Sequence, residues 1–154
     1  MSFDTSINSS NGHILMSCKS VPFFQVINPE TLYNPQAFAY SHIVEITHVQ
    51  RILHIAGQGG ENQAGEISAD FSQQVWQAFH NVKRALQYMQ ASIHHIAMLR
   101  LLIVNHDTSK HQVVIKIMQT LWPEQNFPAC TLIPVTQLAL PSMQFEVEAT
   151  AYTH

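Results

Sequence analysis

Glu146 and Glu148 stand two residues apart in MQFEVEATAY, near the end of the chain. On a strand that spacing turns both carboxylates to one face and sends Phe145 and Val147 to the other. Without further context, such a pair forms a polar face at the edge of a sheet. Cys130, in PACTLIPV, is a second candidate. A thiol acts as a nucleophile where a histidine or a cation lowers its pKa; among apolar neighbours it is a small hydrophobe. The chain carries ten histidines, yet their spacing is poor for a metal. His94 and His95 are adjacent and would point apart on a strand, and His106 and His111 lie five apart, off a single helical face. No HExxH pattern and no zinc-finger spacing of Cys and His occurs, so neither a metal nor a cofactor is expected. The Gly-rich stretch GQGGENQAGE, residues 57–66, lacks both the GxGxxG spacing and the lysine of a phosphate loop.

The elements that would hold these residues can be read from periodicity and punctuation. NPETLYNPQ, residues 28–36, is broken by Asn and Pro into turns. SHIVEITHV (41–49) and RILHIA (51–56) are rich in β-branched residues, and the short link between them predicts a hairpin. Asp70–Met89 is the clearest helix, with Phe71, Val75, Phe79, Val82, Leu86 and Met89 forming one apolar stripe. Gln73, Gln74, His80, Lys83, Arg84 and Gln87 fill the other side. Asp70, three residues before Gln73, suits its N-cap. IAMLRLLIV (96–104) reads as a central strand buried on both faces. A second helix spans about Ser109–Trp122 and ends at Pro123. Strands over Cys130–Thr136 and Gln144–Tyr152 close the chain. The order ββαβαββ predicts an α+β fold, with two helices packed on one face of a mixed sheet.

Apolar residues make up 46% of the 154 residues and charged residues 11%. So little charge predicts that part of the surface is buried between subunits. A net charge of −3 without a basic run gives a nucleic-acid backbone nothing to bind. Cys18 and Cys130 form no disulfide framework, the first 25 residues have no secretory pattern, and no apolar run approaches a membrane span. A cytoplasmic protein without membrane contact is expected. Residues 1–26, rich in Ser and Asn, read as a loosely held leader, and residues 27–154 as one domain.

Six short segments in order resemble the Rid family, the reactive-intermediate deaminases also known as YjgF or L-PSP endoribonuclease-like proteins. They are NPxxLY (28–33), AYSH (39–42), IAGQ (55–58), DFxxQxxQAxxN (70–81), Pro128-Ala129 and EVEA (146–149). The resemblance implies a chorismate-mutase-like homotrimer that binds small carboxylates, such as 2-imino and 2-keto acids, in clefts between subunits. It also implies that Tyr40 and Gly57 line the cleft and that Glu146 holds the water that hydrolyses an imine. In deaminating members an arginine occupies the position of Cys130. That arginine pairs with the substrate carboxylate through two parallel charged hydrogen bonds, which a thiol cannot replace. Three functions follow as expectations: a trimer binding a small metabolite and deaminating an altered enamine or imine, a non-catalytic interaction trimer, and an endoribonuclease-type translation inhibitor.

Overall fold

The structure, a computed structural model, describes residues 23–153; most of the expected leader, residues 1–22, lies outside them. Eight elements follow one another: β1 (Phe24–Ile27), β2 (Ile43–Ile46), β3 (Arg51–Gln58), α1 (Phe71–Tyr88), β4 (Ile96–Val104), α2 (Thr108–Leu121), β5 (Ala129–Val135) and β6 (Phe145–Thr153). The main sheet has the order β3-β6-β4-β5, with β4 and β5 parallel and the other pairs antiparallel. Both helices pack on one face of it, as the α+β expectation requires.

Two local expectations are corrected. The hairpin between the first two expected strands does not form. Its first strand is cut to β2, which pairs with β1, a strand that begins inside the expected leader. Its second strand, β3, pairs with β6. The link turns at His48, whose φ is 55°, and Gln50 N–H donates to Thr153 O at 3.2 Å, which carries the chain across to the main sheet. The β1–β2 ribbon meets that sheet through a parallel bridge between Ser41 and Ala129.

The second correction concerns β4. Its apolar run suggested burial on both faces, but only one face is covered. Leu99, Leu101 and Ile103 are buried against the helices, whereas Met98 and Leu102 are half-buried and Arg100 is exposed on the open face. Arg100 pairs there with Glu148 at 3.0 Å; an exposed pair of this kind contributes little to stability.

The helices form for the reasons their sequences give. Asp70 accepts from Gln73 N–H at 2.8 Å, and Asp107 accepts from Lys110 N–H at 2.8 Å, so each first turn has its cap. On α1, Val75, Phe79, Val82 and Leu86 are buried, and Phe79 packs edge-on against Trp122 and at a tilt against Phe145. Each such ring contributes about 1.5–3 kcal/mol by leaving water.

Gln74 departs from the amphipathic reading. It belongs to the polar side of the pattern, yet it is fully buried. Its amide donates to Ser68 O at 2.7 Å and Ser142 O at 2.9 Å, and accepts from Gln144 N–H at 2.8 Å. Three backbone partners replace the water that the side chain gives up. Gln74→Leu keeps the volume but leaves those three groups without a partner, so stability should fall by about 3 kcal/mol. Urea unfolding checks this. A midpoint near that of the wild type would show that the amide is dispensable.

Candidate functional site

Two clusters hold the residues singled out in the sequence, and the sheet lies between them. The first is a cavity of about 670 Å³ at the β5 edge, walled by Tyr33, Phe38, Tyr40, His106, His111 and Cys130 over a floor that includes Leu101 and Met118. The segment that builds its rim is held by local hydrogen bonds. Gln36 N–H donates to Asn34 Oδ1 at 3.0 Å, a single 3-10 turn spans Gln36–Phe38, and Ala39 ends it in the left-handed region at φ 57°. This turn brings Tyr40 against Tyr33, and the two hydroxyls hydrogen-bond to each other. His42 fixes the pair from behind. Its backbone N–H donates to Asn28 Oδ1 at 2.9 Å, its ring Nε2 meets Tyr33 O at 2.9 Å, and its ring stands edge-on to both tyrosines.

Three groups in this wall, Tyr40, Cys130 and His111, are shifted toward their uncharged forms. Burial, then the bond to Tyr33, pushes Tyr40 up to about 12. Burial pushes the Cys130 thiol up to about 12 as well. Such a thiol remains protonated, so nothing here activates it as a nucleophile. Burial, with His106 beside it, lowers the pKa of His111.

The second cluster lies on the open face. Gly57, near the end of β3, lies directly under Glu146 of β6; a Cβ at position 57 would collide with the Glu146 carboxylate. The following loop is tied to α1 by Asn81, which donates to Gly59 O at 3.2 Å and Glu61 O at 2.8 Å. Gly60 presses on the backbone of Gln74, where no side chain would fit. Partial burial, then Glu148 and Glu61, raises the pKa of Glu146.

Register shows that the clusters do not meet within one chain. Cys130 pairs with Leu99, which faces the helices, whereas Glu146 pairs with Leu102 on the open face. Tyr40 and Cys130 are brought together, and so are Gly57 and Glu146, but the two pairs lie on opposite sides of the sheet.

Residues 33–153 match the sequence model of the family described as Endoribonuclease L-PSP. The chain belongs to that family. Among solved structures it is similar to the Rid family protein YyfB of Yersinia pestis, a protein of unknown function. The two are 35% identical, with a TM-score of 0.81, covering 86% of this chain and 100% of that one. E. coli TdcF, solved with bound serine, is 21% identical with a TM-score of 0.61, covering 75% and 88% of the two chains. Rv2704 of Mycobacterium tuberculosis, of the YjgF/YER057c/UK114 family, is 22% identical with a TM-score of 0.58, covering 84% and 99%. No curated protein matches the chain. The family expected from the six segments and the α+β fold of the single chain are thus borne out.

The family segments have structural roles here. Gln74 and Asn81 of the 70–81 segment hold the two loops beside Glu146, and Asn28 holds the tyrosine rim. Sequence reasoning missed Tyr33, Phe38, His106 and His111 as wall residues. The signal available was a run of three aromatics, Tyr33, Phe38 and Tyr40, inside a segment otherwise made of turns. His106 and His111, dismissed for their spacing, have ring centroids 5.5 Å apart. His106 precedes the cap of α2, so helical spacing does not govern it. No group of three or more His, Cys, Asp or Glu among the described residues could hold a metal ion.

Because the folded pKa of Glu146 is raised, stability is highest while the carboxyl is protonated and falls as pH rises through that pKa. Glu146→Gln removes this dependence. It should match the wild type below about pH 4 and exceed it at neutral pH. Urea midpoints of both proteins across that range measure the gap, and a gap that stays constant with pH would contradict the assignment.

Proposed function

We propose that this protein binds a small metabolite in a cleft shared by neighbouring chains of a homotrimer. The observation that carries the reading is the cavity of about 670 Å³ with Tyr40 and Cys130 in its wall, a size that suits a small molecule. The half-covered sheet supports the trimer. Ile52 and Ile133 lie exposed on the open face, beside half-buried Met98 and Leu102, and a second chain would cover them. In that assembly the Gly57–Glu146 wall of one chain closes over the Tyr40–Cys130 cavity of the next.

The chemistry that fits is hydrolysis of an enamine or imine with an altered substrate. Glu146, its pKa raised, takes a proton from a water as the oxygen bonds to the imine carbon. The C=N electron pair moves to nitrogen, which takes that proton back from Glu146; a second proton then passes from the new hydroxyl to nitrogen as the C–N bond breaks, so a carbonyl forms and ammonia leaves. Cys130 supplies no charge, so a substrate carboxylate finds no guanidinium to pair with. The ribonuclease activity in the family's name has little support, since a net charge of −3 offers RNA phosphates no cationic track. The two widely separated cysteines suit a reducing, cytoplasmic setting.

Sedimentation equilibrium should give the mass of three chains at micromolar concentration; a single-chain mass would sink the shared cleft. Cys130→Arg should raise affinity for pyruvate about a hundredfold in calorimetry, because a bidentate charged contact replaces a thiol. A folded Cys130→Arg trimer without that gain would mean that position 130 does not face the ligand.

A further inference from the structure

We propose that the cavity takes a neutral, planar, largely apolar molecule with one carbonyl group, an aromatic or conjugated ketone or amide, in place of a carboxylate anion. This deepens the metabolite-binding reading and rests on it. Three observations carry the ligand class, each from a different part of the wall.

The first is the absence of charge. None of the described residues lining the cavity is Arg, Lys, Asp or Glu. Asp107 and Lys110, next to His106 and His111 in the sequence, are engaged elsewhere. Lys110 donates to Val104 O at 2.7 Å and lies 4.9 Å over the Phe71 ring, and Asp107 caps α2. An anion entering the cavity would lose its water and gain no counter-charge. The neutral state of Tyr40, Cys130 and His111 adds to this.

The second is shape. Phe38 and His111 stack with ring planes 20° apart and centroids 6.2 Å apart. Both line the cavity together with Leu101, Ile115 and Met118, so a ligand meets an aromatic pair and apolar side chains. A planar ring lies against such a surface with its face covered and its edge toward the polar rim.

The third is unused hydrogen-bonding capacity. His106 lines the cavity, and its Nε2 is buried without a hydrogen-bond partner. That atom is closed to a water-sized group, so the capacity open to a ligand lies with the tyrosines at the rim. The Tyr33–Tyr40 pair supplies a donor. Two hydroxyls share one bond, which leaves one of their two protons free for a ligand oxygen. A single carbonyl on a flat apolar body satisfies this rim; a carboxylate would need more donors and a cation.

Acetophenone and benzoate separate the classes, because they share a ring and a size and differ in charge. Each is titrated at neutral pH into the full chain carrying 13C-labelled methyl groups. The methyls of Ile115 and Met118 report the cavity and that of Ile52 reports the open sheet face. Acetophenone should shift the cavity methyls, leave Ile52 in place, and bind about tenfold or more tightly than benzoate, the cost of stripping water from an unpaired anion. Benzoate binding the same methyls as tightly would overturn the neutral class and leave metabolite binding intact. Cavity methyls that respond to neither probe, or acetophenone shifting only Ile52, would overturn both.

Discussion

One buried side chain holds the working parts of this fold in register. Gln74 is fully buried on α1 and its amide reaches backbone groups at Ser68, Ser142 and Gln144. The chain just before the helix and the start of β6 are therefore fixed to the same point. One turn and more further along α1, Asn81 does the same for Gly59 and Glu61. Between them these two amides set where the loop after β3 runs and where Glu146 begins its strand. The close fit of Gly60 against Gln74 and of Gly57 beneath Glu146 follows from that clamp. Buried amides with every partner supplied specify geometry as well as stability, since few alternative packings would satisfy them.

Strand alternation then divides the candidate residues between two surfaces. Odd and even positions of β6 and β5 cannot share a face. Cys130 therefore joins the side of the sheet on which the helices lie, with Tyr40 beside it, and Glu146 joins the open side with Gly57. A single chain has two clusters with a sheet between them. The proposed shared cleft resolves this without moving any element, because a neighbour that covers the open face brings its own cavity with it. The largely apolar cavity wall and the acidic open face, where Glu61, Glu146 and Glu148 gather, would supply different things to such a cleft: an apolar seat for the ligand and a carboxyl for the proton.

Much of the fold was legible because its signals are local. The stripe on α1, the cap Asp70, the stop at Pro123 and the apolar run of β4 each depend on neighbours within one element. The errors came where a partner lies far along the chain. β2 pairs with a four-residue strand that looked like leader, and Gln74 is buried because residues 142–144 supply its bonds. Neither fact is written in the segment concerned. The same holds for the site. Family segments pointed to Tyr40, Gly57, Cys130 and Glu146, but pattern could not show that they divide into two pairs on opposite faces. His106 and His111 were set aside because helical spacing was applied to a residue that precedes its helix.

The shared cleft is tested most directly by a crystal structure of the assembled protein, read through two distances. One runs from the Cys130 sulfur to the Glu146 carboxylate of its own chain, the other to the same carboxylate of a neighbour. The expected result is that the neighbour's carboxylate is the nearer and opens onto the same cavity as Tyr40. An assembly that leaves Glu146 facing solvent, or a protein that crystallises and sediments as single chains, would contradict it.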